Sequence, residues 1–196
     1  MKRKNFLAFL IILGCLLFST QLVSAQELIT NGGFETGDFT GWFRQGYFGF
    51  CGVGYRDVNR HSGDYGAYFR TYGGDVTLES QNLATNQGAS YLLTFWLRNN
   101  GGAPNHFDVY FAGQQIASLV DSAPFSYTAY RYDVVAWTPS FSVLKFDFRD
   151  DDSSWGLDDV SVTPIRAFSA APEPATMLLL GIGLAGLAGI RRKLKN

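Results

Sequence analysis

From Leu144 to Arg149 apolar and charged residues alternate without a break: Leu144, Phe146 and Phe148 against Lys145, Asp147 and Arg149. Successive side chains of an extended chain point to opposite sides, so a period of two marks a strand with one face in a core and the other in water. Other runs have the same character. Tyr91 to Arg98 is rich in aromatic and apolar residues and ends at the turn-forming Asn99-Asn100-Gly101-Gly102. Phe107 to Phe111 and Gln115 to Leu119 flank Ala112-Gly113-Gln114 in the manner of a hairpin, and Tyr130 to Ala136, Ser142 to Arg149 and Gly156 to Thr163 continue the series. Between residues 26 and 164 no stretch sustains a 3.6-residue apolar period, and glycine is frequent between the runs. Many short strands in a domain of this length imply an all-β fold, a jelly-roll β-sandwich of two packed sheets.

Both ends carry targeting patterns that stand apart from this domain. Lys2, Arg3 and Lys4 precede an apolar run from Phe6 to Phe18, and Val23-Ser24-Ala25 supplies the small residues a signal peptidase reads, so 1–25 is expected to be a signal peptide cut before Gln26. A lipoprotein reading at Ile12-Leu13-Gly14-Cys15 is disfavoured because the apolar run continues through Leu16, Leu17 and Phe18. After a linker at 165–171, Pro172-Glu173-Pro174 is followed by an uncharged segment, 175–190, and a basic end, 191–196. A helix over 175–190 would be about 24 Å long, slightly short of a bilayer core, and flanking arginines can snorkel to cover the deficit. Basic residues at its end hold that end in the cytoplasm and leave the domain outside the inner membrane.

This order of Pro-Glu-Pro triplet, short transmembrane helix and basic tail resembles the PEP-CTERM sorting signal of Gram-negative bacteria. The resemblance implies an exosortase substrate, held transiently in the inner membrane and then released to the cell surface or an extracellular matrix, in association with exopolysaccharide and biofilm. The rival reading is a permanent, uncut membrane anchor. Gly181, Gly183 and Gly186 also spell a dinucleotide fingerprint, but no strand precedes them and the chain ends ten residues later; Gly181, Ala185 and Gly189, recurring every four residues, read instead as a helix-packing face.

Once leader and tail are set aside, nine Lys and Arg face sixteen Asp and Glu, a net charge of about −7 against −1 for the whole chain. A domain so acidic lacks the basic patch that nucleic acid or an anionic membrane surface would need; a cation or a neutral polymer fits better. Cys15 leaves with the leader, so Cys51 stands alone and no intrachain disulfide can form. Burial beside Phe50 is the expectation for it.

A second resemblance covers most of the domain. Leu28-Ile29-Thr30-Asn31-Gly32-Gly33-Phe34-Glu35, then Gly41-Trp42, then His61-Ser62-Gly63 ahead of Ala67-Tyr68-Phe69, and finally Leu157-Asp158-Asp159-Val160-Ser161-Val162, is similar to the frame of carbohydrate-binding-module-like jelly rolls of the galactose-binding type. The resemblance implies that the first and last strands lie side by side with a structural calcium between them. Carried across by motif, Glu35 and Asp158 would be carboxylate ligands, with Gly33 giving its carbonyl and Asn59 and Ser62 completing the shell. Calcium wants six to eight oxygens at about 2.3–2.6 Å, which carboxylates and carbonyls from separate segments can supply.

Aromatic residues make up 16% of the chain, but 17 of the 31 are phenylalanine, which in strands is core material. Trp42, Trp96 and Trp137 sit where a sandwich would bury them. The glycine-spaced segment from Phe43 to Tyr55 is expected to be a loop that exposes Tyr47, Phe50 and Tyr55 as sugar-stacking candidates, with Trp155 a fourth beside a solvated turn at Asp150-Asp151-Asp152. No pair of carboxylates and no nucleophile is singled out by a motif, so a non-enzyme is expected. The sequence thus points to an exported surface or matrix protein whose sandwich binds or organises extracellular polysaccharide. The alternative is a non-catalytic structural surface protein with no specific glycan ligand.

Overall fold

The computed structural model of the chain describes residues 26–46, 49–165 and 183. The leader, Tyr47, the triplet Pro172, Glu173 and Pro174, and the span and basic tail expected after it lie outside the described residues, Gly183 excepted. Among the described residues no helix is long and apolar enough to cross a membrane.

Twelve strands follow in order: β1 (Trp42–Gly46), β2 (Cys51–Gly54), β3 (Gly66–Phe69), β4 (Val76–Ser80), β5 (Leu83–Ala84), β6 (Ser90–Asn99), β7 (Asn105–Phe111), β8 (Gln114–Val120), β9 (Phe125–Val135), β10 (Phe141–Ser142), β11 (Leu144–Asp150) and β12 (Trp155–Pro164). They form a sandwich of two five-stranded sheets, β1-β4-β11-β7-β8 and β2-β3-β12-β6-β9, with β5 and β10 as a small pair at one end. Neighbouring strands run antiparallel throughout. The runs read from the sequence after Tyr91 are all strands. The segment from Phe43 to Tyr55 is not the continuous loop expected, because it holds most of β1 and all of β2. In β2 the glycines occupy the outward positions while Cys51 and Val53 pack towards the core, so the alternation is present but its polar half is empty.

The inward positions of β6 (Leu93, Phe95, Leu97), β7 (Phe107, Val109), β11 (Leu144, Phe146, Phe148) and β12 (Trp155, Leu157, Val162) are sealed from solvent. Each such side chain contributes roughly 1.5–3 kcal/mol of burial. Rings from the two sheets interlock: Phe69 stacks on Phe148 with centroids 3.9 Å apart, and Phe95 meets Phe146 edge to face at 5.4 Å. Trp155 belongs to this core. It is fully buried, packs on Phe107 and donates its indole N–H to the Arg149 carbonyl at 2.9 Å, so it offers no ring face to a sugar. Of the tryptophans expected inside, Trp42 is buried, Trp96 points outward between the inward Phe95 and Leu97, and Trp137 is 60% exposed where the chain leaves β9.

The chain start lies along β12, with Leu28 N–H donating to the Val162 carbonyl at 3.0 Å and Val160 N–H to the Gly32 carbonyl at 3.0 Å. In β12 the register slips by one residue between Asp158 and Ser161, and Asp159 takes a left-handed backbone with φ 48°. This bulge changes which residues face inward, from Trp155 and Leu157 before it to Val160 and Val162 after it.

The turn after β11 is not the solvated tip expected. Asp150 is fully buried, and its Oδ1 accepts from Ser153 N–H at 2.6 Å while Oδ2 has no partner among the described residues. Burial pushes its carboxyl from 3.8 to about 6, against the opposing amide bonds from Ser153 and Asp152. The folded state therefore favours the protonated form, and the contribution of Asp150 to stability is complete below about pH 4 and lost as pH rises through about 6. Asp150→Asn, uncharged throughout, is expected to raise the melting temperature near pH 7.5 by roughly several degrees and leave it nearly unchanged near pH 4. Thermal melts across that range check this; an identical pH dependence in both proteins would contradict it.

Candidate functional site

The outward faces of the two sheets differ in chemistry. On the β1-containing sheet, charge is met by charge. Lys145 pairs with Asp147 at 2.7 Å and covers the Tyr110 ring at 4.1 Å, Thr77 donates to Asp147 at 2.6 Å, Gln115 donates to Asp108 at 3.0 Å, and Arg149 clasps Asp151 at 3.0 and 3.1 Å. This is a solvated face that satisfies itself.

The outer face of the β2-containing sheet is built of glycines and rings. Gly52 on β2 lies opposite Tyr68 on β3, Tyr68 opposite Gly156 on β12, and Gly156 opposite Arg98 on β6. A Cβ at Gly52 would stand 2.7 Å from the Tyr68 hydroxyl and 3.0–3.2 Å from its ring carbons, so Tyr68 lies flat across β2 only because no side chain is there. At Gly156 a Cβ would stand 2.7 Å from the Tyr127 hydroxyl, which reaches across β12 to donate to the Asn59 carbonyl at 2.6 Å. Burial lifts the Tyr127 phenol well above the usual tyrosine range, with the nearby Asp158 adding to the shift, so it remains a donor. Beside Tyr68 opens a cleft of about 510 Å³ lined by Val53, Gly54, Tyr55, Arg56, Val58 and Asn59. Farther along, the His61 ring stacks on Trp96 with centroids 3.6 Å apart and planes 12° from parallel.

The turn that carries His61 is held by the β12 bulge. Asp158, fully buried, accepts from His61 N–H at 2.7 Å and Ser62 N–H at 3.1 Å, while Asp159 binds His61 Nδ1 at 2.6 Å and accepts from the Ser62 hydroxyl at 2.8 Å. Burial pushes the Asp158 carboxyl up to about 6, against those same amides. Glu35 accepts from Asp64 N–H at 3.0 Å and Tyr65 N–H at 3.3 Å. A Cβ on Gly33 would stand 3.6 Å from an Asp159 oxygen and 3.9 Å from a Glu35 oxygen. Of the expected calcium ligands, Ser62 meets Asp158 through its amide, and Gly33 lies beside Glu35 and the neighbouring Asp159. Asn59 stands apart, its carbonyl turned to Tyr127 and its side-chain amide against Gly54. Among the described residues no three His, Cys, Asp or Glu side chains are grouped so as to hold a metal ion, and the Asp158 carboxylate is already engaged by the N–H groups of His61, Ser62 and Asp159.

Phe50 and Tyr55 are exposed, at 57% and 72%, and Tyr55 lines the cleft. Tyr68, Trp96, His61 and Tyr127, the residues that build the face, were not singled out from the sequence for ligand contact. The available signal was Gly52 and Gly54 alternating within β2, which requires something flat above them. The Cys51 thiol donates to the Arg70 carbonyl at 3.3 Å, and burial raises it to about 11, so it stays protonated rather than nucleophilic.

A family profile described as the PEP-CTERM protein-sorting motif matches residues 170–193, and the chain carries that motif at its C-terminal end. The sandwich is similar to TmCBM61, solved in complex with β-1,4-galactotriose, at 19% identity and TM-score 0.57, over 70% of this chain and 98% of that one. It is also similar to the K1 cleaved adhesin domain of Lys-gingipain from Porphyromonas gingivalis W83, at 18% identity and TM-score 0.51, over 66% of this chain and 94% of that one. A third likeness is to the enzymatically active domain of tailspike protein 4 from bacteriophage CBA120, at 13% identity and TM-score 0.54, over 71% of this chain but 21% of that one. At these identities the likeness establishes the fold, a β-sandwich of the kind found in carbohydrate-binding modules. None of the curated proteins matches the chain in sequence.

Proposed function

We propose that this is an exported, exosortase-sorted protein whose sandwich binds extracellular polysaccharide, without catalysis, through the outer face of the β2-β3-β12-β6-β9 sheet. The observation that carries this reading is the Tyr68 ring lying flat over Gly52 and Gly54 at the rim of the 510 Å³ cleft. A flat ring presents an apolar surface to the C–H face of a pyranose, and the polar groups around it can orient sugar hydroxyls. Similarity of fold to a module solved with a bound galactotriose supports the same face of chemistry without naming this chain's glycan. The self-paired charges of the other sheet favour this side of the sandwich.

We further propose, on the sequence resemblance rather than on a formed carboxylate cluster, a structural calcium ion drawing on Gly33, Glu35, Ser62 and Asp158, with Asp159 alongside. Bound there it would neutralise the carboxylates and tie the chain start, the 61–65 turn and β12 together, stabilising only the folded state.

Three measurements test these statements. In gels cast in turn with neutral and with acidic polysaccharides, the full chain in a sugar-free detergent is expected to be retarded by at least one, and Tyr68→Ala to weaken that retention about five- to tenfold with an unchanged melting temperature. Mobility indifferent to every polysaccharide would instead leave a structural surface protein. Calcium at about 100 times its dissociation constant is expected to add about 2.7 kcal/mol of stability, a gain that Glu35→Gln should remove; identical melts in calcium and in excess chelator would exclude the ion. For sorting, mass spectrometry of the surface-released protein is expected to find no peptide beyond about residue 175, and Pro172→Ala with Pro174→Ala to leave an uncut precursor in the inner membrane. Intact peptides from 173 to 180 in the surface fraction would count against cleavage.

A further inference from the structure

Arg98 stands at the centre of the ring-lined face, opposite Gly156 on β12, with its guanidinium 5.6 Å from the Tyr127 ring centroid. Its Nε is buried, and that N–H has no hydrogen-bond partner among the described residues. Nor does any carboxylate of the described residues lie within ion-pair distance of it. A buried donor left unpaired is uncommon; this Nε is sealed over Gly156 beside Tyr127, so in the half-buried Arg98 a ligand would have to meet the charge at the outer, Nη end of the guanidinium, where a carboxylate is the natural partner.

The surroundings do not supply that partner. Asp158 is on the same face but is sealed and accepts from the amides of His61 and Ser62; Asp159 is taken by His61 and the Ser62 hydroxyl. Asp57 pairs with Arg60 at 2.7 Å. Asp133 lies two residues beyond Arg131 on β9, opposite Leu92, three rows of the sheet away from Arg98. Two further cations without an ion pair among the described residues share this side: Arg56, which lines the cleft beside Tyr68, and Arg131, which lies opposite the outward Thr94. Lys145 and Arg149 on the opposite sheet are each closed by an aspartate. Arg98, Arg56 and Arg131 thus place three cations on the face built of rings in an otherwise acidic domain. A sugar hydroxyl could hydrogen-bond to the outer end of the guanidinium but would leave its charge uncompensated, whereas a carboxylate does both.

We infer that the polysaccharide bound by this face is acidic: a glycan bearing carboxylates, as in uronic acid residues, one of which seats on Arg98 while neighbouring sugar rings lie on Tyr68 and beside Trp96. The inference rests on the polysaccharide-binding reading and specifies its ligand class.

The test uses the full chain in a polyoxyethylene detergent, free of sugar, against polygalacturonate and alginate. Each polymer is paired with its carboxyl-reduced, neutral counterpart, and a neutral galactan and xylan complete the set. The acidic polymers are expected to bind ten- to hundredfold more tightly than their reduced forms, with the preference shrinking at high salt. Arg98→Gln is expected to erase the preference, Arg98→Lys to retain part of it, and Arg131→Gln to reduce it only slightly. Equal or tighter binding of the reduced polymers overturns this inference and leaves polysaccharide binding standing. Failure to bind any polymer overturns both. The comparison of each polymer with its reduced form is made on the unaltered chain, so it decides the matter even if Arg98→Gln does not fold.

Discussion

One extra residue in β12 organises most of what is distinctive in this sandwich. The slip after Asp158 lets the same strand place Trp155 and Leu157, then Val160 and Val162, into the core, and it turns two adjacent aspartates towards the 61–62 turn. A regular strand could not aim consecutive side chains at one target, because neighbours point to opposite sides. The left-handed backbone of Asp159 is tolerable for aspartate and costly for a branched residue. From that bulge follow the seating of His61 on Trp96, the position of Asn59 above Gly66, and the reach of Tyr127 to the Asn59 carbonyl. The outer face is thus assembled on the fold's innermost strand.

Buried charge is treated in two ways in the same molecule. Asp158 lies out of water but receives three backbone N–H groups, from His61, Ser62 and Asp159. Asp150, equally buried, receives Ser153 N–H on one oxygen and nothing on the other. Both carboxyls rise to about 6 because desolvation exceeds the amide contribution. The difference between them is geometric: Asp158 sits at a bulge that presents a whole turn to it, whereas Asp150 ends a strand whose neighbours have already paired.

The later half of the fold was legible because β7 and β11 carry full alternation between bulky core residues and polar or charged outward ones, and β6 and β12 are dense in strand-forming apolar residues. The earlier half was obscured by glycine. In β2 the outward places are Gly52 and Gly54, so the period of two loses its contrast and the segment reads as a loop. Exposure was misjudged for a related reason. Trp155 follows three aspartates and reads as a tip residue, yet it packs on Phe107 in the core at the start of β12, and the turn that carries Asp150 is drawn in with it. Trp96 reads as core from its apolar neighbours, but it sits between Phe95 and Leu97 and parity alone sends it outward. Of the residues expected to hold a cation, Ser62 meets Asp158 and Gly33 lies beside Glu35, because these segments flank the pairing of chain start with β12. Asn59 joins neither, because the 56–60 turn bends across Gly66 instead.

Rigidity decides between the two groups of aromatics that a ligand could meet. Phe50 and Tyr55 are exposed side chains on connections rather than on a sheet face. Tyr68 and Trp96 are fixed before any ligand arrives. Tyr68 is fixed by the glycine floor beneath it, and Trp96 by its strand and the His61 ring laid over it. Tyr127 is pinned by its hydrogen bond to Asn59, and through its ring it also fixes the plane on which the Arg98 guanidinium rests. Association loses least where the contacting groups have already lost their freedom, so the sheet face outweighs the loops as the principal binding surface. Replacing any of the floor glycines would restore a regular outward side chain to the strand and, by the same stroke, lift the rings away from the geometry that makes the face a platform.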